Sequence, residues 1–211
     1  MRASFKGIFL TVEGVEGVGK STAMKYIQEC LTKANCDFVM TREPGGTPIA
    51  EEIRHVLLKP QANEVMQPVT ELLLMFASRA QHIATVILPA LQAGKWVVSD
   101  RFVDASYAYQ GGGRKVNDDH IKMLDDWIVH GLHPQVTILL DASPEIGLAR
   151  AKHRGPQDRI EQEKIDFFER VRAGYLERAR KDPQRFRILD ATQPLEKIQV
   201  AIKDILDGLI T

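Results

Sequence analysis

Cysteine is nearly absent from this chain. Two occur in 211 residues, Cys30 and Cys36, too few for a metal-ligand set or a disulfide framework. Net charge is absent as well: 28 basic residues balance 28 acidic ones, so no global pull toward nucleic acid or an anionic membrane is expected. Long hydrophobic runs are missing. The longest unbroken one, Leu72 to Ala77, is far too short to cross a bilayer, and Glu13 cuts off any signal-peptide core behind Arg2 and Lys6. His55, His82, His120, His130, His133 and His153 are scattered without metal-ligand spacing. No internal repeat, low-complexity tract or Pro/Gly/Ser linker marks a second domain. These absences point to a single reduced, cytoplasmic domain spanning residues 1–211, with no nucleic-acid or membrane partner. A chain of this length that is 44% hydrophobic can bury a full core.

What is present alternates. Short apolar runs at Gly7 to Glu13, Phe38 to Thr41, Lys95 to Asp100, Val136 to Asp141 and Phe186 to Asp190 read as strands. Longer segments of helical spacing lie between them, such as Phe76, Ala80, Ile83, Ile87 and Leu91. Near-continuous apolar strands are buried on both faces, which predicts a parallel sheet of five strands between helical layers, a three-layer α/β fold.

The first run ends in Gly14-Val15-Glu16-Gly17-Val18-Gly19-Lys20-Ser21, which fits G-x-x-x-x-G-K-[ST]. A strand before it and helical residues Ala23 to Leu31 after it supply the context that motif requires. Glycines let successive N–H groups turn inward as a nest for phosphate oxygens, and the helix N-terminus adds partial positive charge. Lys20 would neutralise β- and γ-phosphates, and the Ser21 hydroxyl would ligate Mg²⁺. The chain is expected to bind a nucleoside triphosphate. Neither D-x-x-G nor N-K-x-D, the marks of GTP switches, occurs. Arginines stand instead at the ends of the second and third strands, Arg42 in Arg42-Glu43-Pro44-Gly45-Gly46 and Arg101 after Asp100. In an open parallel sheet those ends line the ligand crevice, so Lys20, Arg42 and Arg101 should converge and hold a second phosphate by bidentate contacts. A surface ion pair is the alternative reading for either arginine alone.

Taken in order and spacing, "EGVEGVGKST", "TREPGGT", "DRF", "AYQGGGR" and "DRIEQE" resemble the bacterial thymidylate kinases, from about Gly7 to the C-terminus. The resemblance implies a P-loop nucleoside-monophosphate kinase fold, transfer of the ATP γ-phosphoryl to dTMP with Mg²⁺, and a homodimer. Its contacts are expected on the apolar stripe of the Pro68 to Leu91 helix. Another monophosphate or nucleoside kinase of the class, or a non-catalytic NTP-binding protein, remains the alternative at this point.

The same resemblance implies residue roles. The loop Gly14 to Thr22 would hold ATP. Arg101 would grip the dTMP phosphate, Asp100 would stand near the Mg²⁺ water shell, and Arg42 would be a second acceptor-side cation. Pro44 would shape its loop, and a cis Glu43–Pro44 bond is compatible with X–Pro chemistry. Glu16 matches the family carboxylate that touches the acceptor sugar and helps organise the metal. Phe76 and Arg79, three apart and so on one helix face, would stack on the pyrimidine and donate to a thymine carbonyl. Ser106 and Gln110 fall near base and sugar; Tyr107 stands where some relatives carry an amide or a small residue; Tyr109 is the candidate for excluding a ribose 2′-hydroxyl. Gly111 to Arg114 reads as a mobile loop. Val18 fills the P-loop place where some relatives carry arginine. Arg150, Lys152, Arg154 and Arg159 cluster instead in a lid at residues 150–160, with Arg150 and Arg154 expected at the donor phosphates and Gly155 and Pro156 permitting closure. The catalytic set so implied is Lys20, Arg101, Arg154 and Glu16, with Ser21, Asp100 and Glu16 serving Mg²⁺.

Overall fold

The computed structural model describes residues 6–60, 63–151 and 158–210. Lys152, His153, Arg154, Gly155 and Pro156 of the expected lid lie outside the described residues.

Five strands, β1 (Phe9–Glu13), β2 (Phe38–Arg42), β3 (Trp96–Asp100), β4 (Val136–Asp141) and β5 (Phe186–Asp190), form one sheet in the order β2-β3-β1-β4-β5, parallel throughout. Each expected run matches an observed strand to within two residues. Burial along the sheet explains the apolar runs: β1 is buried at every position and β3 and β4 at all but the last, while the edge strands β2 and β5 are partly exposed.

Alternation along the central strands divides two cores. Leu10, Val12, Trp96 and Val98 face a cluster with α1 (Lys20–Lys33), α8 (Ile165–Lys181) and α9 (Leu195–Ile210). Phe9 and Val97 face the other side, against α3 (Pro68–His82), its continuation, and α6 (Asp118–Leu124). From α3 the chain passes through a π-helical turn, Ile83–Ile87, into α4 (Leu88–Gln92). The resulting rod Pro68–Gln92 is long and apolar enough to span a membrane by length and composition. In the fold it is a core helix: Glu71, Arg79 and His82 are enclosed on it with ion-pair partners. The expected stripe is corrected at one position. Ala80 is exposed, and Arg79 takes the buried place between Phe76 and Ile83.

That buried arginine is answered by a buried carboxylate. Glu43, after β2 and before a cis bond to Pro44, accepts from Arg79 Nε at 2.7 Å and lies 2.9 Å from His82 Nδ1. His82 Nε2 is 2.6 Å from Thr41 Oγ1. The loop after β2 is thereby bolted to α3, ahead of α2 (Pro48–Leu58), whose N-cap Thr47 accepts from the Ala50 N–H.

The glycine run after Tyr109 is not a mobile loop. It belongs to a π-helical segment, Tyr107–Gly113, that follows the short α5 (Val103–Ser106) and packs on α8. A Cβ on Gly113 would come within 2.5 Å of the Phe167 ring, and one on Gly112 within 2.7 Å of the Arg170 carbonyl. Glycine serves close helix packing here. A further π-helical turn, Asp125–Val129, extends α6, and α7 (Pro144–Ala151) follows β4.

Removing one member of a buried pair leaves the other charge stranded, at about 3–5 kcal/mol. Glu43→Ala should therefore lower the unfolding free energy by that order, read from the urea midpoint at constant m-value. A loss below about 1 kcal/mol would mean Arg79 is satisfied without it.

Candidate active site

The P-loop joins β1 to α1 with Gly14, Gly17 and Gly19 at φ of 138°, 74° and 100°, a region that excludes most side chains. At Gly17 a Cβ would stand 1.8 Å from the Gly147 carbonyl of α7, so glycine is needed there for space as well. At Gly19 a Cβ would meet nothing within 4 Å; its backbone is the left-handed N-cap of α1 and offers no side chain to the helix's first N–H groups. Those donors point to an anion instead. Lys20 Nζ donates to the carbonyls of Gly14 at 3.1 Å and Val15 at 2.8 Å. Burial, then the nearby Arg101 charge, lowers its pKa to about 8.

Two cavities flank this loop. The first is lined by Glu16, Pro44, Arg101, Tyr109 and Gln110 from the expected set, together with Arg54, Glu71, Met75 and the segment Asp158 to Ile160. The second is lined by Gly17, Val18, Gly19 and Thr22, by Arg150, and by Ala191, Gln193 and residues of α9. Arg150 also donates to the Ala191 carbonyl at 3.1 Å.

Arg101 and Glu16 meet in the first cavity. Arg101 Nη2 lies 2.7 Å from Glu16 Oε1 and 2.8 Å from the Tyr109 hydroxyl, which itself lies 2.7 Å from both Glu16 oxygens. Arg101 has φ of 70°, strained for a side-chain-bearing residue. The conformation is held by its N–H on the Val12 carbonyl at 3.0 Å and its carbonyl accepting from Ser99 Oγ at 2.7 Å. Burial opposes its charge, but Tyr109 and Glu16 keep the guanidinium's pKa above its ordinary value. Beneath the loop, Glu13 accepts from the Phe102 N–H at 2.8 Å and the Tyr175 hydroxyl at 2.7 Å; burial pushes its pKa up to about 8.

Several expected residues stand elsewhere. Phe76 is 1% exposed in the core with Leu72 and Phe102, its ring 4.6 Å from the Arg79 guanidinium carbon; Met75, one position earlier, lines the cavity. Arg79 is not a cavity cation. Its donors serve Glu43, Ser106 Oγ at 3.0 Å and the Phe102 carbonyl at 3.1 Å, because the buried Glu43 requires a counter-ion. Ser106, fully buried, is consumed by that bond. Tyr107 turns away: its hydroxyl donates to Asp125 at 2.9 Å and Arg178 covers its ring, in a separate groove. Arg42 is exposed and pairs with Glu51 at 2.9 Å. Arg159, expected with the donor-side lid cluster, lines the first cavity and is clasped to the Leu57 and Leu58 carbonyls at 2.8 and 3.0 Å.

Arg54, on α2, was not picked out by motif position. It lines the first cavity, donates to the Pro44 carbonyl at 2.8 Å, and has its pKa lowered by burial and then by Arg42 and Arg101. Glu51 and Asp158 act on Arg54 in the opposite sense, so acids and guanidinium groups alternate around this end of the cavity.

Among the described residues no group of three or more His, Cys, Asp or Glu could hold a metal. The donor set still suits Mg²⁺, which takes few protein ligands beside phosphates and water: Ser21 opens α1 and is exposed, and Asp100 Oδ1 is buried without a partner.

A phosphate nest between two cavities, one of them lined by the guanidinium groups of Arg54, Arg101 and Arg159, fits a P-loop phosphotransferase. Comparison with known proteins narrows this. The family model for thymidylate kinase matches residues 12–202. The chain is 53% identical to the thymidylate kinase of Pseudomonas putida strain W619 over 96% of this chain and 98% of that one. It is 50% identical to that of Hahella chejuensis over 93% and 94%. The crystal structure of thymidylate kinase from Ehrlichia chaffeensis superposes with a TM-score of 0.75 at 29% identity, covering 96% of this chain and 98% of that one. The chain belongs to the thymidylate kinase family, and the switch and other-kinase alternatives fall away.

With Lys20 at a pKa of about 8, alkaline pH should discharge the free enzyme's phosphate clamp. kcat/KM for ATP is expected to fall above about pH 8. Under saturating ATP the bound phosphates hold the proton, so the fall in kcat should move to higher pH. Coincident profiles would refute the assignment.

Proposed function

We propose that this chain transfers the γ-phosphoryl of ATP to dTMP, giving dTDP and ADP for dTTP synthesis, with dTMP in the cavity of Glu16, Arg101 and Gln110 and ATP in the cavity of Gly17 and Arg150. The observation that carries the assignment is the pairing of these cavities across one phosphate loop, the first lined by Arg54, Arg101 and Arg159.

The chemistry follows from charge. A phosphate monoester with a second pKa near about 6 reaches the site largely ionised, so no side-chain base is needed to make its oxygen nucleophilic. What is needed is positioning of two polyanions and stabilisation of a loose, charge-rich transition state. In this reading Arg101 and Arg54 take the acceptor phosphate, with Arg42 next to them. Lys20 and the α1 N-terminus take the donor phosphates, with Arg150 beside them. Arg154 is a second donor-side cation on the strength of motif position alone. Ser21, with Asp100 and Glu16 nearby, would hold Mg²⁺, which would supply charge stabilisation to the donor phosphates. Tyr109, anchored on Glu16 and lining the cavity, would exclude a ribose 2′-hydroxyl. Gln110 Oε1, buried without a partner, is suited to accept the ring N3–H of thymine, and Met75 to cover the base in the place expected for Phe76.

A homodimer is part of the proposal. Val69 and Leu73 are 54% and 53% exposed, and Ala77, Ala80 and Ala84 continue that outward stripe. Trp127, 76% exposed, stands on the π-helical turn that packs beside α3. A stripe this apolar fits contact with a second copy. The free thiols of Cys30 and Cys36 accord with a cytoplasmic setting.

ADP formation from ATP and Mg²⁺ with dTMP, dUMP, dCMP, AMP and GMP should be fastest with dTMP. Arg101→Ala should reduce kcat/KM for dTMP by about 10²–10³-fold; faster turnover of a purine nucleotide would sink the reading. For the dimer, Leu73→Glu should halve the mass seen by light scattering, and an unchanged mass would refute this interface.

A further inference from the structure

We infer that Glu71 is a positioning residue that dictates which base edge the acceptor cavity admits, an inference that rests on the reading of Gln110 as the partner of ring N3. Glu71 is 1% exposed and Gln110 2% exposed, and both line the cavity. Gln110 Nε2 lies 2.8 Å from Glu71 Oε1. A carboxylate only accepts hydrogen bonds, whereas a primary amide donates at one end and accepts at the other. The nitrogen of Gln110 must therefore face Glu71, and its oxygen is turned the other way. That oxygen is the end left without a partner.

The carboxylate is itself clamped. Arg114 Nε lies 3.2 and 3.1 Å from its two oxygens, and Arg159 Nη2 lies 2.6 Å from Oε2. Arg114 also reaches Glu163 at 2.5 Å, and its guanidinium carbon sits 4.7 Å from the Phe167 ring centre. Rotation of the Glu71 carboxyl would break these pairs, so the amide of Gln110 has one orientation.

A fixed acceptor selects by rejection as much as by attraction. Thymine and uracil offer a hydrogen at N3; cytosine offers a lone pair there, which would face the amide oxygen with no proton between them. A carboxylate that served only to neutralise Arg114 and Arg159 would tie the helices together without distinguishing the bases. The two roles separate experimentally.

The probe is the pair dTMP and 5-methyl-dCMP, alike in sugar, phosphate and methyl group and different at N3 and C4. In Glu71→Gln the new amide can donate to the Gln110 oxygen, so both orientations of Gln110 become available. The ratio of kcat/KM for dTMP over 5-methyl-dCMP should fall by about tenfold or more, chiefly through KM. Exchanging the pair, Glu71→Gln together with Gln110→Glu, restores an obligate acceptor beside the base and should restore the preference. An unchanged ratio in Glu71→Gln, or a ratio in the exchanged pair no better than in the single variant, overturns the inference. Should Glu71→Gln fail to fold, the exchanged pair decides alone against wild type: preference kept supports the inference, preference lost refutes it. Gln110→Leu tests the underlying reading. If it leaves the ratio intact, Gln110 does not read N3; if it collapses the ratio while Glu71→Gln does not, only the role of Glu71 falls.

Discussion

Two polyanions have to touch. Every other feature of this molecule answers the repulsion between a triphosphate and a monophosphate brought end to end, and the answer is cationic charge fixed before either arrives. Fixed charge is costly to bury alone, so each cation has a local reason to stay where it is. Lys20 rests on two P-loop carbonyls. Arg101 rests on Glu16 and Tyr109. Arg54 donates to a carbonyl and feels the charges of Arg42 and Arg101 against those of Glu51 and Asp158.

Buried carboxylates organise the cations at one remove. Glu43 holds Arg79, and through His82 and Thr41 it locks the loop after β2 onto α3. Glu71 gathers Arg114, Arg159 and Gln110 around the cavity wall. Asp104 receives Arg178 and Arg185 behind the sheet. None of these acids faces the phosphate loop. Their effect is to give long, flexible side chains one geometry, so that positioning is complete in the folded chain and little ordering is left for the moment of binding.

The fold was legible because its signals are local. Buried parallel strands read as unbroken apolar runs, and the glycine pattern before Lys20 stands between a strand and a helix as its chemistry demands. The site was legible where a residue ends a strand or lies in the P-loop, which is why Glu16, Arg101 and Pro44 fall in the cavity as expected. Helix spacing carries less. Phe76 and Arg79 do share a face, but spacing does not say whether that face meets a ligand or a core; in the fold both are buried, with Arg79 on Glu43, thirty-six residues away. Met75 was obscured by the aromatic next to it, and Arg54 by its place inside an ordinary amphipathic helix. One signal was local: Glu71, an acid at the head of the apolar run Leu72 to Ala77, must be paired if buried, and its helical neighbours Met75 and Ser78 point the same way.

The π-helical segment Tyr107–Gly113 shows why part of the site depends on long-range packing. An extra residue per turn shifts side-chain direction partway along a helix. Tyr107 therefore points to Asp125 and Arg178 while Tyr109 and Gln110, two and three residues later, point into the cavity. What fixes the shift is α8, which approaches so closely that a Cβ on Gly174 would come within 3.0 Å of the Ala108 Cα. The glycines that looked like slack in the chain are thus what allows α8 to press against this segment. That contact sets the direction in which Tyr109 and Gln110 emerge into the cavity, so this part of the cavity wall is a packing property, set by a helix that follows it by more than fifty residues.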